Sequence, residues 1–278
     1  TGAARDLRTG IDVVVAGAAR LTAAVAPDRR LASLAVEPDA DVAALVGATL
    51  GRGYRRRLAE LLPGGLDTPL GLLLDDLPVA ALLAEYVPLR RDSSAGRGGA
   101  RSPASAADRM ADLCSGWRSG GTLLPAGASG AGVPLQDCPP ARSLLVDADP
   151  LAWHAIEPVA PATMRRWRRI DVHPGDTIEV DAMFRDSHGD PDGTEVVLHE
   201  YRVELSVAPG TLEILRVRAE PRVLPYDECP AAAAGVDRLV GLPATELRTE
   251  VGRRLAGIVG CTHLNDLLRS LGALPGLL

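Results

Sequence analysis

TEVVLHEYRVELSVAP, Thr194 to Pro209, decides the fold. It opens on a β-branched run, then alternates Tyr201, Val203, Leu205 and Val207 with Arg202, Glu204 and Ser206. That is the period of a half-buried strand. Ala208-Pro209-Gly210 reads as a turn, and Leu212 to Ala219 as the returning strand. Upstream, Ile178 to Phe184 has the same character. The stretch also has an ungapped counterpart near the start of the chain, DVVVAGAARLTAAVAP, Asp12 to Pro27. Val14/Val196, Val15/Val197, Arg20/Arg202 and the closing Val-Ala-Pro coincide.

Working outward, each copy continues through a short apolar stretch to Glu-Pro, at Pro38 and Pro221, and Leu-Val-Gly recurs at Leu45 and Leu239. From there DTPLGLLLDDL (Asp67 to Leu77) faces CTHLNDLLRSL (Cys261 to Leu271). Ala244 to Ile258 carries Leu247, Val251 and Leu255 at helical spacing, and Thr262 is placed to cap a last helix running through Leu271. The expected fold is α+β: a tandem duplication of a three-stranded antiparallel sheet with helices packed on one face, a pseudo-dimer within one chain. Residues 1–90 form the first copy, 91–160 a loop-rich linker and lid, and 161–278 the second copy.

The chemistry is unequal between the copies. His199 faces Gly17, Cys261 faces Asp67 and His263 faces Pro69, while Cys229 and Tyr226 sit in LPYDECP, an insertion that only the second copy has. Cys-Thr-His at a helix start has a mechanism, because helix N-termini and nearby imidazoles favour the thiolate. Three readings of these residues stand. Cys261 is a nucleophile or acid, with His263 and His199 as acid–base groups and Cys229, Tyr226 and Asp186 as accessories. Alternatively, Cys229, Cys261, His263 and His199 bind zinc or an iron centre. In the blandest reading they are core residues. Trp117, Trp153 and His154 in the middle region, with Arg166 and Arg168 of MRRWRRIDV (Met164 to Val172), are the expected substrate-binding groups; the four arginines of that stretch read equally as alternating strand residues that pair with carboxylates of the acidic chain.

Composition narrows the chemistry. The chain has 278 residues and a formal charge of −6, and all 30 basic residues are arginine. Without lysine there is no Schiff base, Walker A site or Ser–Lys dyad. The acidic balance argues against nucleic acid and anionic membranes as partners. The densest apolar stretch, Leu66 to Ala84, is interrupted by Asp67, Asp75 and Asp76 and so predicts no membrane span. Four cysteines in a chain this long predict reduced thiols and a cytoplasmic setting rather than a disulfide framework. No dinucleotide fingerprint is present. The expected partner is a small organic substrate, with the chain a monomeric pseudo-dimer or a homodimer.

MRRWRRIDV, DAMFRDS (Asp181 to Ser187), LHEYRVELSV (Leu198 to Val207), PYDECP, RLVGL and GCTHLNDLL (Gly260 to Leu268) together resemble a bacterial family described only as domain of unknown function 2889. CSGW and AWH look like the middle of its long actinobacterial members. The family implies no activity. More distantly, the order of elements resembles the iron–sulfur scaffold fold of the NifU N-terminal type. That resemblance implies a site at Cys229, Cys261 and His263 and a zinc or iron–sulfur cofactor. The scaffold's first cysteine has no counterpart here. An enzyme of lyase, isomerase, cyclase or hydrolase type is the expected function, with a metal-binding protein or a noncatalytic binding module as alternatives.

Overall fold

The computed structural model describes residues 1–10, 12–88, 90, 110–124 and 138–278. Much of the expected linker, 91–109 and 125–137, lies outside the described residues. The chain is α+β and divides into two compact units, Thr1–Leu82 with Gly272–Leu278, and Leu83–Leu271.

The first unit holds an antiparallel sheet of β1 (Gly2–Thr9), β2 (Val13–Val25) and β3 (Leu31–Glu37), in that order. Its core is Leu21, Leu31, Leu45, Leu50, Tyr54, Leu58 and Leu74, which joins the sheet to α1 (Tyr54–Leu61) and α2 (Pro69–Asp75). Thr68 caps α2, accepting the Gly71 N–H at 3.1 Å, with Pro69 in the first helical position. Both are favourable helix-start chemistry. Gly71 is required there: a Cβ would stand 2.1 Å from the Gly65 carbonyl oxygen. Helix α3 (Leu77–Ala84) follows.

The second sheet corrects the sequence expectation, because it has four strands rather than three. β4 (Met164–His173), β5 (Ile178–Gly189), β6 (Glu195–Val207) and β7 (Ile214–Val223) pair antiparallel in that order. The extra strand is the arginine-rich MRRWRRIDV, whose alternation is carried by charged rather than apolar side chains. Successive side chains point to opposite faces, so Arg166 and Arg168 reach one face and Arg165, Trp167 and Arg169 the other. β5 is buried on both faces over Phe184 to His188. One face meets helix α5 (Thr262–Ser270), which buries His263, Leu264, Leu267 and Leu268. On the other, Arg185 binds Glu200 and the Arg142 carbonyl, and Trp153 stacks edge-on against Trp167 at 5.8 Å.

The expected long helix over Ala244 to Ile258 is shorter: a 3-10 turn at Ala244–Glu246, α4 over Leu247–Arg254, then a 3-10 turn at Gly257–Val259. The helix expected to close the chain, α5, begins at Thr262 itself, with the extended Cys261 in the capping position, and is followed by a 3-10 turn at Leu271–Ala273 and a short helix at Leu274–Leu277.

Two irregularities recur in both sheets. The β1–β2 register shifts after Asp6, which lies opposite Gly17, and the β5–β6 register shifts after Asp186, which lies opposite His199. A second shift falls at Ala24/Val25 in β2 and at Ser206/Val207 in β6. Among the described residues no helix is long and apolar enough to cross a membrane.

Candidate functional site

Asp186 is fully buried at the bulge of β5, and its partner comes from the neighbouring strand. Arg166 Nε donates to Oδ1 at 2.6 Å and Nη2 to Oδ2 at 2.8 Å, a two-point grip on the carboxylate. The third nitrogen, Nη1, donates to Asp266 of α5 at 2.8 Å, and Arg168 reaches the same oxygen at 2.9 Å. The Arg166 guanidinium also lies 4.6 Å over the Phe184 ring. Charges this deep are tolerable only when paired and hydrogen-bonded. Here the pairing ties β4, β5 and α5 together.

Above this lattice lie two imidazoles. His199 of β6 and His263 of α5 are buried and stacked, with ring centroids 3.8 Å apart and 21° between planes. Tyr86, in helical residues 86–88, meets both rings edge-on at 5.4 and 6.1 Å. His199 Nδ1 stands 3.5 Å from Asp186 Oδ2 and makes no hydrogen bond. His263 Nδ1 is 3.5 Å from Thr262 Oγ1 and 4.0 Å from Cys261 Sγ, while its Nε2 has no partner.

Burial dominates the electrostatics. It holds His263 down at about 3, with the Arg166 charge acting in the same direction. It also pushes His199 well below the usual imidazole range, helped by His263 and Arg166 and opposed by Asp186. Both rings are therefore neutral near pH 7, the form that accepts a proton or binds a metal. The Cys261 thiol is raised to about 11 by burial, against the N–H groups of Leu264 and His263 in the first turn of α5.

Of the residues singled out in the sequence, Asp186, His199, His263 and Cys261 come together. Tyr226 and Cys229 pack with Leu123, Trp117 and Leu224 in a small apolar cluster nearby in sequence to none of these. Arg166 and Arg168 bind the chain's own carboxylates. Trp153 donates its indole N–H to the Leu144 carbonyl at 3.0 Å, and His154 follows it in the same partly buried segment on the opposite face of the sheet from Arg166.

For the expected zinc or iron set of Cys229, Cys261, His199 and His263, the fit is poor. Only the two histidines join a group with ligand atoms within 4.8 Å of one another, and the third member is Asp186. Both oxygens of that carboxylate already receive Arg166, so a cation would have to compete with a guanidinium. Tyr86 and Asp266 are the participants that sequence reasoning missed, and no local pattern marked Tyr86.

Residues 164–275 match the model of the family described as protein of unknown function DUF2889. The resemblance carried by MRRWRRIDV through GCTHLNDLL therefore holds over β4 to the last helices. No curated protein and no solved structure matches the chain. The likeness to the NifU-type scaffold is not shown.

Proposed function

We propose that this protein is an enzyme that moves protons on a small organic metabolite. His199 and His263 are the acid–base pair, and Cys261 is a neighbouring acid or nucleophile. The observation that carries the reading is the stacked pair of buried, neutral imidazoles in which His199 Nδ1 and His263 Nε2 have no hydrogen-bond partner. Leaving a buried polar atom unmade costs about 1–3 kcal/mol, so such atoms call for a role. A neutral imidazole within reach of a substrate is a general base. When His199 takes a proton, the Asp186 carboxylate 3.5 Å away favours the imidazolium, and Arg166 keeps that carboxylate in place. With no lysine and no dinucleotide fingerprint in the sequence, lyase, isomerase, cyclase or hydrolase chemistry is favoured over amine or hydride chemistry.

The reading includes a tandem duplication in which only the second copy carries the chemistry. The shared register shifts support it. So does the first unit's own interior, where a Cβ on Gly17 would meet Pro69 at 3.3 Å and the Asp6 carboxylate at 3.8 Å. Gly17, Asp6 and Pro69 are the counterparts of His199, Asp186 and His263. The proposed setting is cytoplasmic, in keeping with four free cysteines, and the partner a small molecule rather than nucleic acid or membrane.

The test is an untargeted one. Wild-type protein and the H199Q and H263Q variants are incubated with a bacterial metabolite extract in D2O, and products are followed by mass spectrometry. The reading requires metabolites that are converted or deuterated by the wild type and by neither variant. Identical profiles from all three would overturn it.

A further inference from the structure

On the same face of the second sheet stands a further histidine that the imidazole pair leaves unused. His188 lies two residues beyond Asp186 along β5, and the β4–β5 register runs unbroken through both, so they share a face. Asp186 lies opposite His199 of β6, and His188 opposite Val196. His188 and His199 are therefore diagonal neighbours on adjacent strands, positions about 7–8 Å apart. His188 is 2% exposed. Its Nδ1 stands 2.9 Å from Asp190 Oδ1, while its Nε2 is buried without a hydrogen-bond partner.

Asp190 is itself held. Arg90 Nε donates to its Oδ1 at 3.1 Å and Nη2 to its Oδ2 at 2.8 Å. Burial raises the Asp190 carboxyl, but Arg90 and His188 outweigh it and hold the group below its usual range. An ionised carboxylate only accepts hydrogen bonds, so the ring proton sits on His188 Nδ1 and Nε2 is left as a bare acceptor. A buried acceptor with no donor costs about 1–3 kcal/mol and calls for one. Arg90 also lies four residues beyond Tyr86, the ring that covers His199 and His263, so one short segment reaches both groups. In the first sheet the register-matched position is Arg8, opposite Val14 and exposed. His188, like His199 and His263, has no imidazole counterpart there.

We infer that His188 is a second general base of this site and takes the proton of a hydroxyl group, carried by the substrate or by water. The O–H bond breaks, its electron pair stays on oxygen, and the proton passes to Nε2. Asp190 stabilises the imidazolium that forms and keeps the ring in the productive tautomer, and Arg90 keeps Asp190 in place. The proton then leaves to the product or to solvent. Asp190 and Arg90 are positioning residues. The inference rests on the acid–base reading and narrows it to reactions in which an O–H is deprotonated beside the group that His199 and His263 serve.

Full-length wild type, H188Q and H199Q are incubated with a bacterial metabolite extract in ordinary and in heavy-oxygen water, and conversion is followed by mass spectrometry. Metabolites that the wild type converts should be converted about 100-fold more slowly in H188Q. Heavy oxygen in the product assigns the O–H to water and its absence assigns it to the substrate; either agrees with the inference. Full conversion by H188Q with loss in H199Q overturns the inference and leaves the imidazole pair standing. No conversion by the wild type removes both. Long-range nitrogen–proton NMR of the His188 ring needs no substrate, and it decides if H188Q fails to fold. The wild type should show Nδ1 protonated and Nε2 bare, and D190N should lose that preference, which a packing role would not require. A proton on Nε2 in the wild type overturns the inference.

Discussion

Replacing Arg166 by methionine removes the cation that holds the site's framework. The guanidinium makes bonds of 2.6 and 2.8 Å to Asp186 and one of 2.8 Å to Asp266. Asp266 keeps Arg168, but Asp186 is left fully buried without its guanidinium. Breaking a buried pair from one side costs about 3–5 kcal/mol, because a charge stays behind uncompensated. With a urea slope of about 2 kcal/mol per molar, the midpoint should fall by about 2 M. The readout is specific, since Trp117, Trp153 and Trp167, the chain's three tryptophans, all lie in the unit Leu83–Leu271. Tryptophan fluorescence therefore follows that unit. Adding D186L to R166M should restore part of the loss, with a coupling of about 2 kcal/mol. A loss in R166M below about 1 kcal/mol, or strict additivity in the double variant, would refute the claim that Arg166 works by neutralising Asp186.

Burial holds His188, His199 and His263 below the ordinary imidazole value, so the unfolded chain binds more protons than the folded one as pH drops below about 6.5. Stability of chelator-treated protein should therefore fall with pH, by about 1.4 kcal/mol per unit for each histidine still neutral in the fold. For His263 alone this amounts to about 2.5 kcal/mol between pH 7 and 4.5, and H263Q should flatten the curve by that amount in urea titrations. Gly116→Ala forces a methyl against Cys229 Sγ at 2.9 Å and should cost about 1–3 kcal/mol in thermal unfolding; an unchanged midpoint would mean that Cys229 does not pack so closely on Gly116. Gly189→Ala places a Cβ 2.3 Å from the Ala160 carbonyl oxygen, where backbone rather than a side chain must move. A loss of about 3 kcal/mol is expected, and full stability would argue against residues 160–163 packing on β5.

What could be read in the sequence followed from periodicity. Ile178, Val180, Ala182 and Phe184 lie buried along β5, and Tyr201, Val203 and Leu205 along β6, because strict alternation selects a strand and a face. The pairing of Asp186 with His199 and their meeting with His263 followed from two strands and a helix start that were legible. The arginines of β4 could be read as alternating strand residues paired with carboxylates, but not as a fourth, buried strand of this sheet, since arginine is read as exposed unless its partners are known. Arg166 was expected to grip substrate for the same reason. Tyr86 belongs to a stretch that reads as the end of the first copy, yet the compact second unit begins at Leu83. A helix's own pattern says which side is apolar but not which sheet it covers. Ser115 joins the segments before Cys261 and Cys229 by reaching the Gly260 and Glu228 carbonyls, and no local pattern encodes that.

The ionisation state of His199 and His263 bears most directly on the acid–base site. Long-range nitrogen–proton NMR of the two rings, assigned through H199Q and H263Q, gives it. Both rings should be neutral tautomers at pH 5.5 and remain so until the fold is lost in acid. A ring that titrates near 6.5 in the folded protein would contradict the site described here.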